Sequence, residues 1–486
     1  MADSRTASIK IVSQIRRVVD IQSKIIYFLL SIIAAGVLTY FLYEPGLDEA
    51  QLFVLFVLFL AIGLWVSEAI PPFAVGLLVF GFVIFAMSSY YQRVDPENVE
   101  AHYLEYINSW SSSVIWLMLG GFFIAEAMSK TKLDRAVFRM SISRFGNKPK
   151  YILLGLMLTT ALFSMIMSNT ATTAMMIASV MPFINTLEKK SQLSKAILIG
   201  ISGAASIGGM GTLIGSPPNA IAVEALNNYG IGIGFLEWMM VGFPLAIVLT
   251  IIFWIALSKK YIPKEKRMTI NVAEDSLPPS HPDYRFERIK KRIVLSVLGL
   301  TLLLWLTEKV HGIPASMVSF LPIILLTMSG IISGEDVRKL PWDTLMLVVG
   351  GLTLGLAIKD TGLASYYVAK LEQFDLNFYV IVISFAFLTV IMSNIMSNTA
   401  TATILIPISL ILAFETPAIL PLVIGLCAST ALFLPISTPP NAIAFSTGKL
   451  LQKDFRFGGL LMGILGPIII TVGVFGIAWI YRMTML

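Results

Sequence analysis

The chain has 486 residues, of which 56% are hydrophobic and 13% are charged, with a formal net charge of +6 and a mean hydropathy of +0.82. Soluble domains carry about a quarter charged residues, so this composition excludes a soluble globular enzyme, a disordered protein and a nucleic-acid-binding domain. The one cysteine, Cys427, cannot form an intramolecular disulfide, and the three histidines all fall in or beside polar loops, where they form no metal cluster. The sequence predicts a polytopic membrane protein.

The first predicted element is a membrane-crossing helix at 25–43. The polar segment before it carries four basic residues between Lys10 and Lys24, and no small-residue cleavage site precedes the turn that begins at Glu44. This pattern indicates an uncleaved helix with its N-terminus inside the cell, because flanking basic residues stay on the cytoplasmic side. Further apolar runs of spanning length follow at 51–66, 71–90, 113–129, 151–187, 193–226, 236–257, 293–308, 314–333, 343–358, 377–414, 417–448 and 457–481.

Two of these runs, 151–187 and 377–414, are too long for one crossing, because a crossing helix needs about 20 residues. Each is predicted to fold back as a hairpin. Basic residues flank the first run on both sides, in 130–150 and 189–195, so both of its ends should face the cytoplasm. The flanks of the second run lack a positive excess, so it should open to the outside. The spacing in 130–150 leaves two interpretations open, an interfacial helix or a plain cytoplasmic loop.

The polar segments orient the remaining runs. The stretch 259–292 has ten Lys and Arg against five acids, and 449–456 is also basic, so both are predicted to lie inside. The acidic stretch 91–110 should lie outside. The predicted fold is an all-α, multi-pass protein of the cytoplasmic membrane. It has eleven transmembrane helices and two opposed re-entrant hairpins, with the N-terminus inside and the C-terminus outside.

Three signals occur twice in the same order. The string Met-Ser-Asn-Thr-Ala-Thr occurs at 167–172 and 396–401, Pro-Pro-Asn-Ala-Ile-Ala at 217–222 and 439–444, and Gly-Gly at 120–121 and 350–351. Offsets of 229, 222 and 230 residues indicate an internal duplication, and an odd number of crossings between the copies would invert the second one. The predicted organisation is an N-terminal segment with the first helix at 1–48, a first inverted repeat at 49–258, a cytoplasmic linker at 259–292 and a second inverted repeat at 293–486.

Both longer motifs interrupt helices inside apolar runs. Ser-Asn-Thr favours a helix start, so it is predicted to form the tip of each hairpin. Pro-Pro fits only the first turn of a helix, so each Ser/Thr-Pro-Pro-Asn should mark a broken crossing helix whose second half begins near the prolines. Non-helical backbone at this depth must be buried in protein or line a cavity. Two tips and two breaks can therefore converge on one cavity.

None of the four interruptions contains a charged residue or a histidine. They offer hydroxyls, amides and free backbone groups, which suit binding and not acid–base or nucleophilic catalysis. Four helix N-termini, each worth roughly +0.5 charge, would attract a dianion, and two equivalent tips suit a ligand with two similar anionic ends. A short dicarboxylate is the predicted substrate, and the exposed carbonyl and side-chain oxygens suit sodium. Ser164 and Ser393 precede the motif serines by four residues, which predicts that each pair of hydroxyls shares a helix face.

At these motifs the sequence resembles the divalent anion/sodium symporter family, the INDY-like dicarboxylate transporters, over nearly its whole length. The resemblance implies a homodimer in membrane lipid, with a scaffold and a transport domain that moves like an elevator and carries C4 and C5 dicarboxylates such as succinate, malate, fumarate and 2-oxoglutarate. By motif, the substrate would contact Ser168, Asn169, Thr170, Ser216, Asn398, Thr399, Thr438 and Pro439. By the same route, sodium as the coupling ion would contact Ser164, Ser168, Asn169 and Gly215 at one site and Ser393, Ser397, Asn398 and Ser437 at the other.

Several alternatives remain beside this interpretation. Members of the family are sodium-coupled symporters or sodium-independent exchangers, and the motifs leave both open. Sulfate or another inorganic divalent anion is the alternative substrate, because the helix-end field does not depend on carbon.

Two other classes of protein fit the sequence less well. An intramembrane hydrolase would use Ser202 in a Gly-x-Ser-Gly pattern, but it needs a histidine at membrane depth and none qualifies. A channel would need a continuous pore, whereas inverted discontinuous helices serve alternating access. The chain is therefore predicted not to be an enzyme, with no nucleic-acid partner and no cofactor besides sodium. The paired glycines are predicted to allow close helix packing.

Overall fold

The computed structural model describes residues 2–133, 148–187, 191–262, 283–371, 377–412 and 418–480. These ranges contain helices and loops and no strand, so the predicted all-α fold is confirmed for them. The residues 134–147, on which the predicted interfacial helix depends, lie outside the described ranges. So does most of the predicted linker 259–292.

Twenty-two α-helices are described, and in chain order the first eleven are α1 (Ala2–Phe41), α2 (Glu49–Ser67), α3 (Pro72–Val94), α4 (Val99–Ile107), α5 (Ser113–Lys130), α6 (Pro149–Ser164), α7 (Asn169–Thr186), α8 (Gln192–Gly208), α9 (Pro217–Asn228), α10 (Phe235–Tyr261) and α11 (Tyr284–Leu306). The remaining ones are α12 (Glu308–His311), α13 (Ala315–Val318), α14 (Phe320–Met328), α15 (Gly334–Arg338), α16 (Trp342–Asp360), α17 (Leu363–Leu371), α18 (Phe378–Ile395), α19 (Asn398–Ile411), α20 (Ile419–Cys427), α21 (Pro439–Ser446) and α22 (Gln452–Ile480). Two of the short 3₁₀ turns, Gly209–Gly211 and Ala428–Thr430, follow α8 and α20.

Nine stretches of the described chain are long and apolar enough to cross a membrane: Ile21–Phe41, Glu49–Ser67, Pro72–Val94, Val99–Lys130, Gln192–Gly211, Phe235–Tyr261, Trp342–Asp360, Phe378–Ile395 and Gln452–Trp479. One of them, Phe378–Ile395, is an arm of a predicted hairpin and not a predicted crossing. Three predicted crossings, 293–308, 314–333 and 417–448, are not among the nine. Helix α11 begins with a charged segment, and the other two runs are divided into shorter helices. The count of eleven crossings therefore stays a prediction.

The described residues form two compact units. One contains residues of 1–110 and 343–373, and the other contains residues of 111–342 and 374–486. Each unit draws on both halves of the sequence, whereas the predicted repeats divide the chain near its middle. All of the predicted binding residues belong to the second unit.

Glycines set the closest helix contacts in the first unit. A Cβ on Gly350 of α16 would lie 2.3 Å from the Cα of Gly76 on α3, and a Cβ on Gly63 would lie 3.1 Å from the Cβ of Ser31. Small residues at such crossings let two backbones approach, which is how helices associate where no hydrophobic effect drives them together. The prediction that Gly350 serves packing is confirmed.

The second unit is built around α8. Within its stretch Gln192–Gly211, 94% of the most apolar window is buried. A Cβ on Gly203 would lie 2.2 Å from the ring of Phe253, and one on Gly208 would lie 2.4 Å from the carbonyl oxygen of Ala161 in the first hairpin. Gly120 of α5 packs in the same way on Ser319, at 2.6 Å. The close approach of Gly208 to Ala161 holds the first hairpin directly against α8, the helix that breaks after this glycine.

Candidate binding site at two hairpin tips and two broken helices

Both hairpins turn at the Ser-Asn-Thr motif. In the first, α6 ends at Ser164 and α7 begins at Asn169, with the Ser168 hydroxyl accepting a hydrogen bond from the Ala171 N–H at 3.2 Å. In the second, Ser397 caps α19 in the same way, at 3.1 Å from Ala400 N. The predicted capping role is confirmed. The prediction that the paired hydroxyls share a helix face is wrong, because the preceding helix ends between the two serines in each hairpin.

The second pair of interruptions lies where the prolines predict it. Helices α9 and α21 begin at Pro217 and Pro439, each after a 3₁₀ turn and an irregular segment. Asn219 fills the first break, where its amide nitrogen donates to Gly209 O at 2.8 Å and Thr212 O at 2.7 Å. The amide of Asn441 does the same in the second break, at 3.2 Å from Leu432 O and 3.0 Å from Leu434 O. These two amides satisfy the carbonyls that a broken helix leaves free.

The residues before the prolines differ between the two breaks. Thr438 Oγ1 accepts a hydrogen bond from Asn441 N at 3.3 Å and so caps α21. Ser216, its counterpart, is buried and makes no capping hydrogen bond to α9, a helix described along its whole length. Ser216 therefore keeps its hydroxyl available for another partner.

The side-chain amide of Asn169 lies at the first hairpin tip. One of its terminal atoms is 2.5 Å from Ser164 Oγ, 3.1 Å from Ala205 O and 3.2 Å from Gly215 O. The hydrogen bonds are satisfied when this atom is the amide nitrogen, which donates to the two carbonyls and to the Ser164 hydroxyl. An amide turned the other way would complete a group of four oxygens. Such a mixture of hydroxyl, amide and carbonyl oxygens beside a helix break suits sodium.

The structure thus brings together Ser164, Asn169 and Gly215, three of the four residues predicted for the first sodium site. It adds the Ala205 carbonyl, which accepts a hydrogen bond from Ser164 Oγ at 2.6 Å. The fourth predicted residue, Ser168, uses its hydroxyl to cap α7.

The contacts at the second hairpin tip differ from those at the first. The oxygens Ser393 Oγ and Asn398 Oδ1 are buried and find no hydrogen-bond partner among the described residues. Ser437 Oγ donates to Asn394 Oδ1 at 2.8 Å and accepts from Leu434 N at 2.9 Å. Two of the four residues predicted for the second sodium site therefore present unpaired oxygens, while Ser437 is engaged with a residue that the motifs do not include.

The short helices that begin at the two breaks cross between the two halves of the sequence. Helix α9, which begins at the first break, packs on α19 of the second hairpin and on α20. Helix α21, which begins at the second break, packs on α7 of the first hairpin and on α8. A Cβ on Gly425 of α20 would lie 3.3 Å from Pro218 O. The helix that follows each break thus packs against the hairpin of the opposite repeat.

The remaining predicted substrate residues lie in the first turns of these helices. Thr170 and Pro439 are exposed and Thr399 is half-buried. By sequence, the first turns of α7, α9, α19 and α21 carry no acidic side chain that would cancel the positive helix ends. Helix N-termini attract anions through their free N–H groups and dipoles, and no acidic side chain opposes that attraction in these first turns.

Three residues that the motifs do not indicate make hydrogen bonds between elements of this unit. Asn394 and Thr212 connect each hairpin to the break behind it, and Glu224 lies on α9 with its Oε2 3.3 Å from the hydroxyl of Ser113 at the start of α5. An acid within an apolar run is a signal that could have pointed to Glu224. The alternative nucleophile Ser202 is buried in α8, and its hydroxyl donates to Ile199 O at 3.2 Å.

Sequence comparisons give a consistent family. A family profile described as "Citrate transporter" matches residues 62–421. The sodium-dependent dicarboxylate transporter SdcS of Staphylococcus saprophyticus is 32% identical over 473 residues, covering 90% of this chain and 88% of that protein. SdcS of Staphylococcus aureus strain USA300 is 31% identical over 450 residues, covering 85% and 83%.

Solved structures show a similar fold at low sequence identity. The crystal structure of the Alcanivorax borkumensis YdaH transporter matches with a TM-score of 0.55 and 11% identity, covering 85% of this chain and 99% of that one. The Neisseria gonorrhoeae efflux pump MtrF matches with a TM-score of 0.51 and 12% identity, covering 85% and 96%. At these identities the likeness concerns the fold alone.

Proposed function

Since the chain belongs to the citrate transporter family, we propose that it is a secondary active transporter that carries C4 and C5 dicarboxylates across the cytoplasmic membrane, with sodium as the coupling ion. The observation that carries this proposal is that the helix beginning at each break packs on the hairpin of the opposite repeat, with no charged side chain at any of the four interruptions. The names of the staphylococcal relatives support both the dicarboxylate and the sodium dependence.

The substrate would be held by hydrogen-bond donors and helix ends. Ser168, Asn169 and Thr170 at one tip would contact one carboxylate, and Asn398 and Thr399 at the other tip would contact the second. Ser216, Thr438 and Pro439 would complete the site from the breaks. Up to four half-charges at helix N-termini, about +2 in total, would balance a dianion without a fixed cationic side chain.

Sodium would bind behind each tip. The oxygens around Asn169 support the first site, where Ser164, Ser168 and Gly215 would be its neighbours. The unpaired oxygens of Ser393 and Asn398 support the second, with Ser397 and Ser437 beside them. A cation at each position would offset the charge of the dianion and pull the tips into their binding geometry. Dependence on sodium would follow from this arrangement.

The proposed movement is that of an elevator. The site residues all belong to one compact unit, which supports their moving as a body. The protein would act as a homodimer in the lipid bilayer, with its N-terminus inside and its C-terminus outside. It would not be an enzyme, because the interruptions offer no acid, base or activated nucleophile. Sulfate remains the alternative substrate.

The proposal is tested by uptake into reconstituted vesicles. Empty vesicles that contain the purified protein should accumulate labelled succinate when a sodium gradient is imposed, and a potassium gradient should have no effect. Unlabelled malate and fumarate should compete strongly, and sulfate should compete weakly. Uptake that needs internal dicarboxylate and ignores sodium would show exchange, and strong competition by sulfate would favour the inorganic anion.

A further inference from the structure

One hydroxyl in each repeat connects a hairpin to the broken helix behind it. In the first repeat, Thr212 Oγ1 accepts from Gly215 N at 3.1 Å and donates to the carbonyl oxygen of Met165, just after the first hairpin arm ends. In the second repeat, Ser437 Oγ accepts from Leu434 N at 2.9 Å and donates to Asn394 Oδ1 at 2.8 Å. Each hydroxyl therefore closes the loop of a break and holds a hairpin tip against it.

The two connections differ in what receives the hydroxyl proton. Met165 and Asn394 occupy equivalent positions, because the hairpin motifs are offset by 229 residues. The first connection ends on a main-chain carbonyl. The second has its shorter contact on a side-chain amide, with the main-chain carbonyl oxygen of Asn394 farther from Ser437 Oγ at 3.4 Å. Asn394 Oδ1 also accepts from Phe433 N at 2.9 Å, and its nitrogen donates to Val390 O at 2.8 Å. The Asn394 side chain is thus fixed at three points and makes the shorter contact of the second connection.

Asn394 directly follows Ser393, whose buried hydroxyl oxygen finds no partner in the described chain. Its contacts with Ser437 and Phe433 therefore set the distance between that oxygen and the backbone of the break. We propose that Asn394 and Ser437 are a positioning pair that holds the second hairpin tip in sodium-binding geometry, and that Thr212 does the same for the first tip. This inference rests on the proposed sodium-coupled function.

The test replaces the polar contact while keeping the shape. Asn394→Leu and Ser437→Ala should each raise the half-saturating sodium concentration for succinate uptake at least tenfold, because each removes at least one buried hydrogen bond, which is worth about a factor of ten. The KM for succinate at saturating sodium should stay within about twofold of wild type. Thr212→Val should act like Asn394→Leu through the first tip.

A matched control separates positioning from general weakening of the hairpin. Asn377 caps the far end of the same arm, with its Oδ1 3.0 Å from Tyr379 N. Asn377→Ala should lower the unfolding temperature without moving the sodium half-saturation. The double variant Asn394→Leu/Ser437→Ala should raise the sodium half-saturation by less than the product of the two single effects, because both single variants remove the same connection.

A second readout does not depend on transport. Sodium alone, without dicarboxylate, should raise the unfolding temperature of the purified wild-type protein, and this shift should need about tenfold more sodium in Asn394→Leu. An unchanged sodium requirement in Asn394→Leu or an equal rise in Asn377→Ala would overturn the positioning role while leaving the proposed function intact. Wild-type uptake and stability that both ignore sodium would overturn the coupling itself, and the inference with it.

Discussion

At the residue scale, the site depends on how closely backbone atoms approach the Asn169 amide. A Cβ on Gly209 would lie 2.5 Å from Asn169 Oδ1, and one on Gly215 would lie 2.5 Å from Gly209 O. No real Cβ contact is this short, so a methyl group at either position must push the amide or the backbone aside. The glycines of the first break are therefore part of the proposed binding geometry.

Gly209→Ala should abolish sodium-driven succinate uptake, because the added methyl displaces the Asn169 amide from its oxygen neighbours. Gly209 has helical dihedral angles, so alanine adds no backbone strain and only the contact changes. Gly232→Ala is the matched control, since no described atom lies within 4 Å of its Cβ position. Uptake by Gly209→Ala at the control rate would contradict the proposed placement of Asn169.

Asn169 at the first hairpin tip and Asn219 in the first break should separate substrate binding from stability. Asn169→Ala, and likewise Asn398→Ala, should abolish uptake while the protein still folds. Asn219→Ala should instead lower the free energy of unfolding by about 1–3 kcal/mol, because it leaves the carbonyls of Gly209 and Thr212 without their donor. Thermal unfolding and vesicle uptake measured on the same preparations check both. Normal transport by Asn169→Ala would remove it from the site.

At the element scale, three of the four half-helices begin with a side-chain cap and the fourth does not. Ser168, Ser397 and Thr438 cap their helices with a side-chain oxygen, whereas Ser216 does not cap α9. A capping residue contributes to stability whether or not a ligand is bound. A helix start without a cap keeps its N–H groups and the nearby hydroxyl for a ligand.

Thr438→Ala should therefore destabilise the protein by about 1 kcal/mol and also impair uptake, since it removes the cap of α21. Ser216→Ala should impair uptake with little change in stability. The comparison uses unfolding in the absence of substrate together with the KM for succinate. An equal loss of stability in the two variants would show that Ser216 also has a capping role.

A second element-scale prediction concerns α15. Asp336 accepts hydrogen bonds from Ser333 N and Oγ, and its carboxylate lies 2.5 Å from Lys130 Nζ at the end of α5. The Lys130 ammonium and the Ser333 groups hold the pKa of Asp336 well below its usual range. A depressed pKa means that this stabilisation is complete above the ordinary carboxyl pKa of about 3.9 and is lost as the pH falls through the lower folded value.

Asp336→Asn should thus lower the unfolding temperature at pH 7, because it removes the charge that pairs with Lys130. The difference from wild type should shrink as the pH falls below about 4. Thermal unfolding across this pH range checks the prediction, with the exposed Glu335→Gln as the control. A difference that grows towards acid would contradict the assignment.

At the scale of the whole molecule, the orientation proposed from charge can be tested with one cysteine at a time. The natural Cys427 is fully buried, so it should give little background labelling. Glu97 and Lys453 are both exposed, and they lie in segments predicted on opposite sides of the membrane. These positions report directly on the topology of the chain.

Glu97→Cys should react with a membrane-impermeant maleimide in intact cells, and Lys453→Cys should react only after permeabilisation, because basic loops stay in the cytoplasm. Both variants should keep sodium-driven uptake, since neither residue belongs to the site. Labelling of both from the same side would rule out the proposed arrangement of the second repeat.

The sequence alone determined the features that depend on near neighbours. Ser168 and Ser397 cap the helix that follows them, and the proline pairs begin α9 and α21, because a cap and a first-turn proline act within a few residues of themselves. The duplicated motifs carry the resemblance that indicates the family and the dicarboxylate class. The serine pairs were misplaced on one helix face because a regular helix was assumed to continue through a tip where it ends.

Only the tertiary structure decided how these local features meet. Asn394 contacts Ser437 across 43 positions and Glu224 contacts Ser113 across 111, and no periodic pattern marks either pair. The motifs leave open whether the amides of Asn219 and Asn441 face a ligand or the backbone. In the structure both donate hydrogen bonds to carbonyls of their breaks. The crossing of α9 and α21 onto the opposite hairpins is likewise a product of packing. Long-range contacts depend on which surfaces fit closely once the helices exist, and a local pattern of residues does not contain that fit.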